Sequence, residues 1–282
     1  MKPTHNEIRR VAVGDLSLRV SVATLDRVVF PHPNDGTLML ALERKASVVR
    51  DGDNNVRVWA QPFGGGVNIL NPFPLQEIVG EIQFDSEQSK HERDFRILIS
   101  SSKWELVKQY CLRHLENPED VELETLPHRE LVEEFEETVN IHLSQDQYTI
   151  QPIGFVIENH PVQTDNTQVR GHLTARLYRI FKVVIIDDAL CKTMLTASQR
   201  YSDQELRRLA LKDFQSGNAG RANTILTLPL KLVLEAYLAL SPEKRYRKIV
   251  IEDHELEESV LAVLGDIHVP QYERAGAKCN LL

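Results

Sequence analysis

Residues 126–141, LPHRELVEEFEETVNI, carry five glutamates between positions 130 and 137. Pro127 is a favoured first-turn residue, so a helix is expected from about that point. At about 100° per residue, Glu130, Glu133, Glu134 and Glu137 share an arc of roughly 100°. Leu131, Val132, Phe135 and Val139 fall on the other side of the helix, and Glu136 lies outside the cluster. One stripe is built for burial and the other concentrates negative charge. Like charges three and four residues apart repel by roughly a few tenths of a kcal/mol per pair, and no Lys or Arg follows Arg129 within the helix to relieve this. Two readings fit. The stripe is a solvated acidic face, a common feature because glutamate is a good helix former. Or it is a set of oxygen ligands for a hard divalent cation such as Mg²⁺.

A site on this helix requires other elements to bring groups to it. LSLRVSVATLDRVVF (16–30) partly alternates and is rich in β-branched residues, as strands are. With the turn PHPNDG and the strand TLMLALER (37–44) it reads as a hairpin. VRVWAQPF (56–63) is a further strand after the turn DGDNN (51–55), and Gly64, Gly65 and Gly66 follow it directly. RILISS (96–101) reads as a strand and SKWELVKQYCLRHLEN (102–117) as a helix, with Ser102 and Glu105 spaced as a capping box. YTIQPIGFVIEN (148–159) and TARLYRIFKVVII (174–186) are the next two strands. Beyond about residue 190 the pattern reads as helical. A second capping box, Ser202 with Glu205, opens a helix that stops at Gly217, and 221–240 and 253–266 read as two more. The expected organisation is an α/β (α+β) domain over 1–190, with an insertion at about 67–126. A helical C-terminal region, 191–282, is packed on it or appended to it.

RELVEEFEETV resembles the second half of the Nudix box: Gly, five residues, Glu, seven residues, Arg-Glu, an aliphatic, any residue, Glu-Glu, any residue, Gly and an aliphatic. Arg129, Glu130, Leu131, Glu133 and Glu134 match it. The order of surrounding strands is similar too, with VWAQPFGGGV in the place of the strand that ends in Pro-Gly-Gly; the similarity spans roughly 20–186. The box is split or degenerate. Eight residues before Arg129 stands Val121 rather than Glu, fourteen before it stands Leu115 rather than Gly, and Glu136 or Glu137 occupies the ground of the last glycine. Phe63 is inserted between Pro62 and the glycines. Glu122 and Glu124 stand near the missing glutamate.

The resemblance implies a Nudix-like α/β/α sandwich with a mixed sheet. It implies Mg²⁺ or Mn²⁺ held by Glu133 and Glu134, with Glu130 as a further ligand or as the base that activates water. Arg129 would orient the glutamates through charge-assisted hydrogen bonds, and the backbone of Gly64, Gly65 and Gly66 would pass close to the metal or phosphates. Arg176 reads as a residue on an exposed strand face, with contact to a phosphate as the alternative; Arg170 lies in the loop before it, and Glu158 is a further acidic candidate. GNAGRAN (217–223) reads as a loop between helices, with anion binding near Arg221 as the alternative.

The chain has 282 residues and a net charge of −8, which argues against general affinity for nucleic acid or anionic membranes. Cys111, Cys191 and Cys279 are scattered, so a disulfide framework is not expected and a cytoplasmic setting is. The longest apolar region carries Pro229, Lys231 and Glu235 and is too short and too charged for a membrane span. Two functions follow. The first is a metal-dependent hydrolase that cleaves a diphosphate linkage in a nucleotide-like or related compound. The second is a catalytically impaired Nudix-like protein that binds a small-molecule diphosphate or nucleotide, or acts as an interaction protein, with the C-terminal region available for homodimer formation.

Overall fold

The computed structural model of the chain describes residues 16–49, 55–117, 119–158, 161–163 and 172–276. β1 (Ser17–Pro31) and β2 (Leu38–Val48) form the expected hairpin, and β3 (Val56–Gln61) returns antiparallel along β2. The insertion supplies α1 (Phe73–Val79), β4 (Gln83–Phe84), α2 (Glu87–Glu92), β5 (Arg96–Ser100) and α3 (Trp104–Leu115). The glutamate helix is α4 (Pro127–Val139). β6 (Tyr148–Glu158), β7 (Val162–Gln163) and β8 (Leu173–Ile185) follow, then α5 (Asp188–Gln199) and α6 (Asp203–Gln215). The remainder is β9 (Arg221–Pro229), α7 (Leu230–Leu238), α8 (Pro242–Arg245), β10 (Ile249–Ile251), β11 (His254–Leu256), α9 (Val260–Val263) and β12 (Tyr272–Ala275).

One mixed sheet organises these elements, in the order β10-β11-β3-β2-β1-β8-β6-β12. Its centre is β1, which runs parallel to β8 from Leu18 to Val29 and antiparallel to β5 over its first residues. The period of two along β1 sends alternate side chains to opposite faces. Val28 and Phe30 pack with Leu131 and Phe135 of α4, whereas Leu25 and Val29 pack with Val233, Val260 and Leu261. The predicted apolar stripe of α4 is therefore the one that buries: Leu131 and Phe135 have no exposed surface.

The C-terminal region departs from expectation. Arg221–Pro229 is a strand paired along the whole of β2, and the helix begins only at Leu230. Apolar runs of this length are ambiguous between helix and strand. Thr224, Ile225 and Thr227 favour the strand, and Pro229 cannot sit inside a continuous helix. The expected helix over 253–266 is instead β11 and the four-residue α9. β9, β10, β11 and β12 all join the one sheet, so the described residues from 191 to 276 complete it rather than form a helical appendage. The capping box at Ser202 and Glu205 forms as expected, whereas Ser102 and Glu105 do not form one. Among the described residues no helix is long and apolar enough to cross a membrane. Cys111 and Cys191 are buried free thiols, and Cys279 lies outside the described residues.

On the face opposite α4 the strands hold a buried polar cluster. Arg176 Nη1 donates to Glu158 Oε1 at 2.8 Å and to the Tyr246 hydroxyl at 2.7 Å, and its Nη2 lies 3.0 Å from Glu258 Oε1. Glu158 Oε2 is buried with no hydrogen-bond partner. Burial pushes the Glu158 carboxyl up from its ordinary 4.5 to about 7, against the opposing pull of Arg176. The folded chain thus keeps a proton that the unfolded chain releases. The stability this proton provides is fully present below pH 4.5 and is lost as pH rises from there to about 7. At about 1.4 kcal/mol per pH unit the loss amounts to at most about 3 kcal/mol. Urea unfolding of Glu158→Gln at several values across that range should show a flatter pH profile than the natural chain; parallel profiles would mean that Glu158 titrates normally.

Candidate functional site

The triglycine segment lies along β1. Asp26 N–H donates to Phe63 O, Thr24 N–H to Gly65 O and Val67 N–H to Val22 O. Gly64 adopts φ +128°, and a Cβ there would stand 2.1 Å from Thr24 O, so the close approach to β1 needs a residue without a side chain. Phe63 is fully buried and stacks on Phe135 of α4 with ring centroids 4.7 Å apart. Phe63 is thus an anchor between the bend and the acidic helix. Directly above that anchor, Gly64 N–H donates to Glu134 Oε2 at 2.5 Å.

Arg129 ties α4 to the segment that precedes it. Its Nε and Nη2 reach Glu124 Oε1 and Oε2 at 2.7 and 2.8 Å, and its Nη1 reaches Glu133 Oε2 at 2.8 Å. Glu124 Oε2 also accepts from Asn68 Nδ2 at 2.9 Å. This two-point guanidinium–carboxylate contact fixes orientation as well as charge. Val121 is 73% exposed and Leu115 is packed in the core, so neither stands in for the box residue expected at its position. The carboxylate that Arg129 holds ahead of α4 is that of Glu124. Counting back by the box spacing misses it, because the insertion changes the approach to α4.

Gly66, Glu133, Glu134 and Glu137 line one cleft of about 390 Å³. Its other wall comes from the insertion: Gln88, Glu92, Asp94 and Arg96, beside Asn68 and Arg129. No motif marks these insertion residues in the sequence. Asp94 packs against Gly66, where a Cβ would come within 2.7 Å of Asp94 Oδ1. Burial raises the Asp94 carboxyl above the ordinary range, and Arg96, with its Nη1 3.0 Å from Asp94 Oδ2, opposes that rise. Beneath α4, Glu43 is almost wholly buried and its carboxyl is likewise raised by burial, with Lys45 opposing and Glu137 adding to the rise. The cleft carries five carboxylates against two guanidiniums. Such an excess attracts cations and repels a bare anion.

Gly64, Gly66, Arg129, Glu133 and Glu134 are therefore drawn together. The backbone of Glu130 belongs to α4, but its side chain lies outside the described residues. Arg176 and Glu158 are not among the residues lining the cleft: they pair with each other, and their strand positions alternate with those of Leu177 and Ile157, which pack on the α3 side. Arg170 lies outside the described residues. At GNAGRAN, Asp213 Oδ2 accepts from both Gly220 N–H and Arg221 N–H, so the chain's own carboxylate occupies the place suggested for an anion. Among the described residues, no three His, Cys, Asp or Glu side chains are grouped so as to hold a metal ion as they stand. Glu133 is tied to Arg129 and Glu134 to the Gly64 amide. Carboxylates are nonetheless the oxygen donors that Mg²⁺ and Mn²⁺ take, and Glu133 and Glu134 share one cleft. Comparison with protein-family models, with curated proteins and with solved structures finds no match for the chain.

Proposed function

We propose that the chain is a Nudix-type, Mg²⁺- or Mn²⁺-dependent hydrolase that cleaves a diphosphate linkage in a nucleotide-like or related compound. The observation that carries this reading is the hydrogen bond from Gly64 N–H to Glu134 Oε2, which joins the triglycine bend to the acidic face of α4. Glu133 and Glu134 are the proposed metal ligands, with Glu130 as a further ligand or base. When bound, the cation neutralises phosphate charge and lowers the pKa of a water molecule. The chain's own residues position the reactants. Arg129 holds Glu133 and Glu124 in fixed relation, Phe63 and Phe135 lock the bend over the helix, and the glycines allow close approach of a phosphate to backbone.

A second reading is a ligand-binding protein without efficient turnover. It is favoured by the engagement of Glu133 and Glu134 in contacts within the chain, which a cation would have to displace. Thermal melts with a panel of nucleoside diphosphate compounds, each with and without Mg²⁺ or Mn²⁺, combined with assay of released products, separate the two. The hydrolase reading expects metal-dependent stabilisation together with product; the binding reading expects stabilisation alone. No response to metal or nucleotide would defeat both.

A further inference from the structure

We infer that Arg96 is a phosphate-binding, specificity-determining residue of this cleft, which selects compounds with two linked phosphates spanning the distance between it and the acidic face of α4. This inference rests on the reading of the cleft as a diphosphate site and identifies the group that recognises the second phosphate. Of the two guanidiniums in the cleft wall, Arg129 is committed to Glu124 and Glu133 by three short contacts. Arg96 makes one ion pair, through Nη1 to Asp94, and its side chain is 38% exposed. A guanidinium fork with a terminal nitrogen to spare matches the geometry of a phosphate.

Its position is fixed by the fold. Arg96 opens β5, its backbone oxygen accepts from Asp85 N–H at 2.9 Å, and it lines the cleft beside Asp94. The Asp94 side chain is nine-tenths buried and lodged against Gly66, so the carboxylate that steers Arg96 is itself immobilised by the triglycine bend. Charge supplies the remaining argument. With carboxylates in excess, an anion is repelled unless a cation accompanies it. A diphosphate whose first phosphate sat with a cation at α4 would carry its second within the same cleft that Arg96 lines. The volume, about 390 Å³, lies at the lower end of small-molecule sites and suits a diphosphate group with part of its substituent. Arg176, the other arginine weighed for a phosphate contact, is engaged by Glu158, Tyr246 and Glu258 and does not line this cleft.

The test uses the full chain, Arg96→Gln and Arg96→Lys, with inorganic pyrophosphate and orthophosphate as calorimetric probes in Mg²⁺. The natural chain should bind pyrophosphate, Arg96→Gln should bind it at least tenfold more weakly, and Arg96→Lys should fall between. Orthophosphate affinity should change less than threefold. For any diphosphate compound that is turned over, Arg96→Gln should raise KM at least tenfold while kcat stays within threefold. Equal pyrophosphate affinity in the natural chain and Arg96→Gln, an equal loss for orthophosphate, or no pyrophosphate binding by the natural chain overturns the inference. Loss of pyrophosphate binding in a chain that hydrolyses nothing would sink the hydrolase reading and leave Arg96 assigned. Turnover with an unchanged KM in Arg96→Gln would do the reverse.

Discussion

If the chain is the hydrolase proposed above, replacing Glu133 and Glu134 together by glutamine will reduce metal-dependent hydrolysis by at least roughly a thousandfold, or about 4 kcal/mol of transition-state stabilisation, while the chain remains folded. An amide is a poor ligand for a hard cation and carries no charge to oppose that of the metal. The same substitution is gentle on the fold. A glutamine carbonyl at 134 can still accept from Gly64 N–H, and the Glu133–Arg129 pair is half-exposed, so its loss costs at most about 1 kcal/mol. Steady-state rates over a panel of diphosphate compounds, with thermal melts as a control on folding, measure both halves of the prediction. Undiminished turnover in the double variant would remove the acidic face of α4 from the chemistry.

Gly64→Ala will destabilise the chain by at least about 3 kcal/mol, from backbone strain and overpacking combined. The added Cβ would stand 2.1 Å from Thr24 O and 2.9 Å from Leu25 Cα. Neither atom can give way easily, since Thr24 is hydrogen-bonded to Gly65 and paired with Arg179 of the parallel strand β8. Gly36→Ala is the matching control. Gly36 also has positive φ, +72°, but a Cβ there meets nothing within 4 Å, so only a conformational cost of about 1 kcal/mol is expected. Urea midpoints for the two variants separate collision from strain. Similar losses would mean that the bend is looser against β1 than its contacts indicate.

The secondary elements that frame the cleft were legible because each advertises itself locally. The hairpin over β1 and β2, the strand before the glycines, the acidic helix and the strands β6 and β8 rest on periodicity, turn residues and a proline at the helix start. The grouping of Glu133, Glu134 and the glycines was anticipated by a motif that places them in the same order along the chain. Arg221–Pro229 was misread because an apolar segment of that length carries no decisive period, and its pairing with β2 is a long-range event. The partners of Arg176 were not legible because a strand sequence specifies two faces without specifying what each of them meets.

By itself the sequence determined the local order: an amphipathic helix with one acidic stripe, a bend that only glycine can make, and an arginine one turn before Glu133. Those depend on neighbours within a few positions, where propensity and spacing act. Tertiary structure alone decided that Phe63 anchors the bend on Phe135, that Glu124 completes the arginine clamp, and that Asp94 and Arg96 form the far wall. These residues meet across tens of positions, through packing and strand register that no short motif encodes.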